Sequence, residues 1–82
     1  MHDVLVDKTE VGGSSLRPTR RIYIARTPEG TICAGTSEFS YREFKTPLEG
    51  IQVYSALYTT HGFALARRIT EELKLLLENE RF

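Results

Sequence analysis

Between residues 20 and 36, apolar and polar positions alternate in two short runs. In RRIYIAR, Ile22 and Ile24 fall on one face and Tyr23 and Ala25 on the other, with arginines at both ends. In TICAG, Ile32 and Ala34 alternate against Thr31 and Cys33. The intervening TPEG supplies a turn, since Pro28 fixes φ at the second turn position and Gly30 tolerates the left-handed conformation of a closing bulge. This spacing predicts a β-hairpin over 20–36. Near the C-terminus the period changes. In GFALARRITEELKLLLENERF, residues Phe63, Ala66, Ile69, Leu73, Leu76 and Leu77 form one stripe. It predicts an amphipathic helix over 62–80, capped by Thr60 or His61. Leu75 falls off the stripe beside Arg68 and Glu71, which makes it a candidate for self-association.

Elsewhere the pattern is mixed. DVLVD carries a β-branched run, either an edge strand paired through Val4–Val6 or a loose arm, and KTEVGGSSLRP reads as a flexible linker. Residues 1–18 are therefore assigned to a flexible arm or edge strand plus linker, and 19–82 to a single α+β domain. TSEFSYREFK alternates imperfectly and fits a third strand or an aromatic-rich loop. Two signals conflict over 46–59. Thr46 to Glu49 has the form of a capping box with proline at the first helical position. Against it, Gly50 sits early in the segment, and Ile51, Val53, Tyr54, Tyr58 and two threonines favour a strand. The extended reading is preferred for 51–59. The expected fold is α+β: a small antiparallel sheet built on the 20–36 hairpin, with the C-terminal helix (62–80) packed on one face. Helices at both 47–58 and 62–80 are the alternative.

Composition bounds this picture. Eighty-two residues make one domain, near the lower limit for a self-sufficient core. A single cysteine, Cys33, excludes an intrachain disulfide framework and suits a reducing compartment. No apolar run approaches the roughly 18 residues of a membrane span, and MHDVLVDK lacks the order of a signal peptide. A cytoplasmic location is expected. The net charge is zero, but residues 17–45 carry six cations against Glu29, Glu38 and Glu43, a local excess of +3.

Chemistry-bearing groups are sparse. Cys33 and His61 are the one pair resembling nucleophile and base, yet a mid-strand cysteine reads as a small buried hydrophobe. One cysteine and two distant histidines do not make a zinc site, and VGGSS lacks the residues of a phosphate loop. Arg67 and Arg68 each have a glutamate four residues on, so they read as a self-neutralised face. Their position near the helix start opposes the macrodipole. No cofactor, metal or catalytic residue is expected.

What remains points to recognition. The expected function is a small non-enzymatic interaction protein, an inhibitor or adaptor docking on a larger protein with an acidic surface. By analogy of size and lack of catalytic groups alone, accessory proteins of phages and mobile elements that inhibit host or defence enzymes are often this small. The expected partner-binding residues are Arg20, Arg21, Tyr23, Arg26 and Arg42, since arginine and tyrosine are favoured interface anchors. A homodimer through Leu75 is a further expectation. The alternative is a single-stranded nucleic-acid-binding domain, with Phe39, Tyr41 and Phe44 joining Tyr23 as a stacking face beside the arginines.

Overall fold

Pro28 and Gly30 close the hairpin as their chemistry requires. Gly30 adopts φ 88°, its N–H donates to Thr27 O at 2.9 Å, and Thr27 N–H donates to Thr31 O at 2.9 Å. The flanking strands are β2 (Arg20–Arg26) and β3 (Ile32–Thr36), paired antiparallel with Ile24 opposite Ala34. The computed structural model describes residues 2–10, 20–36 and 41–79. Phe39 and residues 11–18 of the expected linker lie outside them, whereas Lys8, Thr9 and Glu10, also read as linker, pair with Ile22, Arg21 and Arg20 of β2.

Residues 3–10 form a strand, β1 (Asp3–Glu10), longer than DVLVD indicates. It pairs with the outer side of β2, and Val6 enters the core. β4 (Arg42–Phe44) pairs with β3, giving an antiparallel sheet of order β1-β2-β3-β4. Two helices follow, α1 (Pro47–His61) and α2 (Ala64–Glu78). The fold is α+β, with the C-terminal helix on one face of the sheet, as the hydrophobic pattern predicts.

The strand expected over 51–59 is absent; those residues lie within α1. The capping signal wins because the N-cap, the leading proline and the glycine C-cap are all in place. Glu49 N–H donates to Thr46 Oγ1 at 3.2 Å, Pro47 opens the helix, and Gly62 ends it at φ 69° with its N–H on Tyr58 O. Gly50, Ile51 and Tyr54 then share one buried face. Tyr54 is fully enclosed, and its hydroxyl donates to Ala34 O at 3.2 Å. A Cβ on Gly50 would stand 3.2 Å from Leu73 Cδ1 and 3.3 Å from Phe44 Cδ2. The glycine that weakens the local helix signal therefore lets α1 sit close to α2 and β4. Tertiary packing overrides the β-propensity of Val53, Thr59 and Thr60.

In α2 the stripe residues Ala66, Ile69, Leu73 and Leu76 are buried, joined by Leu65 and Thr70. Leu77, expected on that stripe, is 46% exposed. The helix also starts later than expected. Thr60 and His61 belong to the last turn of α1 rather than to the cap of α2, and His61 stacks on Phe63, ring centroids 5.3 Å apart. The two connecting residues divide the caps between them: Gly62 ends α1, and Phe63 takes the N-cap of α2 with no side-chain cap hydrogen bond. Both helices cover the sheet face built from Val6, Ile22, Ile24, Ile32, Ala34 and Phe44.

Candidate functional site

With the helices on one side, the pleat sends the alternate residues to the other. Asp7, Tyr23 and Gly35 lie opposite one another across β1, β2 and β3 on this face, which no described helix covers (the uncovered face). Tyr41, just before β4, completes the row. A Cβ on Gly35 would come within 2.9 Å of Tyr41 Cδ2, so the ring lies directly on the glycine. The Tyr23 and Tyr41 rings meet at 5.8 Å with a 40° tilt. The Arg21 guanidinium stands 5.5 Å from the Tyr23 ring centre.

Hydrogen bonds fix this arrangement. The Tyr41 hydroxyl donates to Cys33 Sγ at 2.7 Å, and the buried Cys33 thiol faces Ala25 O at 3.5 Å. Burial of the hydroxyl, then its bond to Cys33, pushes Tyr41 well above the usual tyrosine range. Tyr41 is nonetheless 53% exposed as a residue. The hydroxyl end is thus anchored inward while the remaining surface faces out. Arg21 donates to both oxygens of Asp7, Nε to Oδ1 and Nη2 to Oδ2, each at 3.0 Å. That hydrogen bonding holds the Asp7 carboxyl below the usual carboxylate range. At the turn end, Thr31 Oγ1 donates to Glu43 Oε1 at 2.6 Å.

The sequence-expected residues divide between the two faces. Arg21 and Tyr23 lie on the uncovered face. Arg20, Arg26 and Arg42 point to the side of the helices, because they alternate with those residues or pair with core positions such as Ile32 and Ala34. The cations form no single patch. Arg26 donates to Asp3 at 2.7 Å, as Arg21 does to Asp7, so β1 answers the basic strand beside it with its own aspartates. A one-residue slip of β1 would send those aspartates to the wrong faces, so the pairs also hold its register. Leu75 is 50% exposed on α2. Tyr41, which the sequence brings in only through the stacking alternative, is the residue that completes the face. Gly35 within a strand is the signal that marks such a close approach.

Other constellations are weaker. Cys33 is buried in the sheet, whereas His61 is exposed at the end of α1. Among the described residues no group of three or more His, Cys, Asp or Glu side chains could hold a metal ion. A shallow groove between the helices is lined by Ser55, Tyr58, Arg67, Thr70, Glu71 and Lys74, with Arg67 lying 5.5 Å over the Tyr58 ring. Among the described residues no helix is long and apolar enough to cross a membrane. Comparison with protein-family models, with curated proteins and with solved structures finds no match to this chain.

Proposed function

We propose that this chain is a non-enzymatic interaction domain that docks on a larger protein through the uncovered face of its sheet, with Tyr23, Tyr41 and Arg21 as anchors. One observation carries the reading. Both helices occupy the opposite face, and Tyr41, 53% exposed, is seated over Gly35 with its ring against that of Tyr23. Tyrosines already held by neighbours lose little side-chain freedom on binding. Tyrosine and arginine are also over-represented among residues that dominate interface energetics. The weight rests on the tyrosines rather than on an acidic partner surface, because Arg21 and Arg26 face Asp7 and Asp3 within the chain.

The test is affinity capture from native host extract with wild-type bait and with the folded Tyr23→Ala/Tyr41→Ala variant. A partner held by the wild type and lost by the variant supports the face. A partner held equally by both overturns it. The same ring pair favours a second reading, stacking of single-stranded bases. Asp7 and Glu43 share that face and oppose a phosphate backbone. Anisotropy titration with a labelled oligonucleotide at low salt separates the two: affinity that falls with salt and in Tyr23→Ala favours the nucleic acid, and no binding removes it.

A further inference from the structure

We propose that two copies of this chain join edge to edge through β1, antiparallel about a two-fold axis normal to the sheet. The product is one continuous sheet with the helices of both copies on the same side. This goes beyond the docking reading and stands independently of it.

Among the described strands β1 is an edge, with β2 as its one neighbour. It runs for 8 residues, against 3 for β4 at the other edge. A long edge presents a row of backbone donors and acceptors ready for another strand. A bulge ordinarily guards such an edge, and β1 has one: its register with β2 shifts between Val4 and Val6. Under two-fold symmetry that irregularity becomes a register key. Because of the shift, Asp3, Val6 and Lys8 lie on the helix side, while Val4 and Asp7 lie on the uncovered side.

Residues directly opposite in a sheet share a face. One two-fold register satisfies this from residue 3 to residue 8. It sets Asp3 opposite Lys8, Val4 opposite Asp7, and Leu5 opposite Val6, with the two bulges facing each other at the centre. A slip one way sets Asp3 opposite Asp7; a slip the other way sets Val4 opposite Lys8. Either slip puts residues of opposite faces together.

The face-matched register is also the charge-matched one. Asp3 and Lys8 keep 60% and 53% of their side-chain surface exposed while bonding Arg26 and Glu72. Meeting across the axis, they would link each Arg26–Asp3 pair to the other copy's Lys8–Glu72 pair. The Lys8–Glu72 bridge, at 2.7 Å, also ties α2 to this edge of the sheet. Leu75 follows Glu72 by three positions, on the same flank of the helix, and is 50% exposed. A strand pair alone falls short of the roughly 1,200–2,000 Å² of a stable interface, so the α2 flanks supply the remainder, with Leu75 between them.

Sedimentation equilibrium on the full chain tests this with a charge exchange. Lys8→Glu sets two glutamates against Asp3 and should weaken the dimer about tenfold or more; Asp3→Lys sets lysine against Lys8 with a similar loss. An equimolar mixture of the two variants restores both contacts and should be dimeric where each alone is monomeric. Recovery on mixing also shows that both variants fold. Leu75→Glu should weaken the wild-type dimer. A wild type that stays monomeric at the highest attainable concentration overturns the proposal. So does a dimer indifferent to Lys8→Glu, or a mixture that remains monomeric.

Discussion

The Tyr41 hydroxyl donates to the sulfur of Cys33 at 2.7 Å, and its ring rests on Gly35, two residues further along β3. A side chain from outside the hairpin thereby roofs the centre of the uncovered face. Cys33 is only 1% exposed although both described helices lie on the other side of the sheet. Its concealment depends on Tyr41.

That dependence is measurable by thiol labelling of the native protein. Tyr41→Ala removes the roof, and the Cys33 labelling rate should rise about tenfold or more, towards that of an exposed thiol. Tyr41→Phe keeps the ring and removes only the hydroxyl, so its rate should stay close to the wild type. Equal rates in wild type and Tyr41→Ala would show that Tyr41 does not shield the thiol.

Stability at alkaline pH should follow from the same contact. An unfolded tyrosine ionises near pH 10. Tyr41 holds its proton to higher pH in the folded protein, chiefly through burial of its hydroxyl, and burial raises Tyr54 as well. Ionisation therefore favours the unfolded chain. The contribution is complete below about pH 10 and is lost as the pH rises beyond it. Urea midpoints should decline above that point, and phenolate absorbance of the native protein should lag behind that of the denatured chain. A native titration curve superimposable on the denatured one would contradict this.

Gly50 offers a test of helix packing. In an isolated helix, alanine would improve on glycine by roughly 0.5–1 kcal/mol. Here the added methyl would meet Leu73 Cδ1 at 3.2 Å and Phe44 Cδ2 at 3.3 Å, both buried. Overpacking of this kind costs about 1–3 kcal/mol, so crowding outweighs propensity and Gly50→Ala should be destabilising by about 1 kcal/mol. Urea denaturation gives the answer, and a raised midpoint would mean that α1 does not need the close approach.

These residues show which parts of the fold are legible in sequence. The hairpin is, because alternation in RRIYIAR and TICAG and the turn chemistry of TPEG all point the same way. Most of the α2 stripe is, because period 3.6 persists from Ala66 to Leu76. Residues 47–61 are not, because a capping box and β-favouring residues conflict locally, and the deciding contacts of Gly50 and Tyr54 come from β3, β4 and α2. The binding face is half legible. Tyr23 and Arg21 follow from strand alternation. The partnership of Arg21 with Asp7 depends on how β1 docks, and that of Tyr23 with Tyr41 depends on where β4 returns; neither register is encoded by spacing within its own strand.

Gly35 is where that hidden register is most open to perturbation. Alanine is not a poor strand residue compared with glycine, and the substitution removes no hydrogen bond, so local considerations predict little change in stability. The tertiary geometry predicts otherwise for the face. A methyl at Gly35 would stand 2.9 Å from Tyr41 Cδ2, closer than two carbons can rest, so the ring must lift. Lifting it moves the hydroxyl away from Cys33 and separates Tyr41 from Tyr23, now 5.8 Å apart. Gly35→Ala should therefore keep its far-ultraviolet spectrum and lose near-ultraviolet tyrosine dichroism. Cys33 should label faster than in the wild type, and any partner that depends on the tyrosine pair should bind more weakly. If near-ultraviolet dichroism and labelling rate both match the wild type, the ring is not seated on Gly35, and the preformed face loses its structural basis.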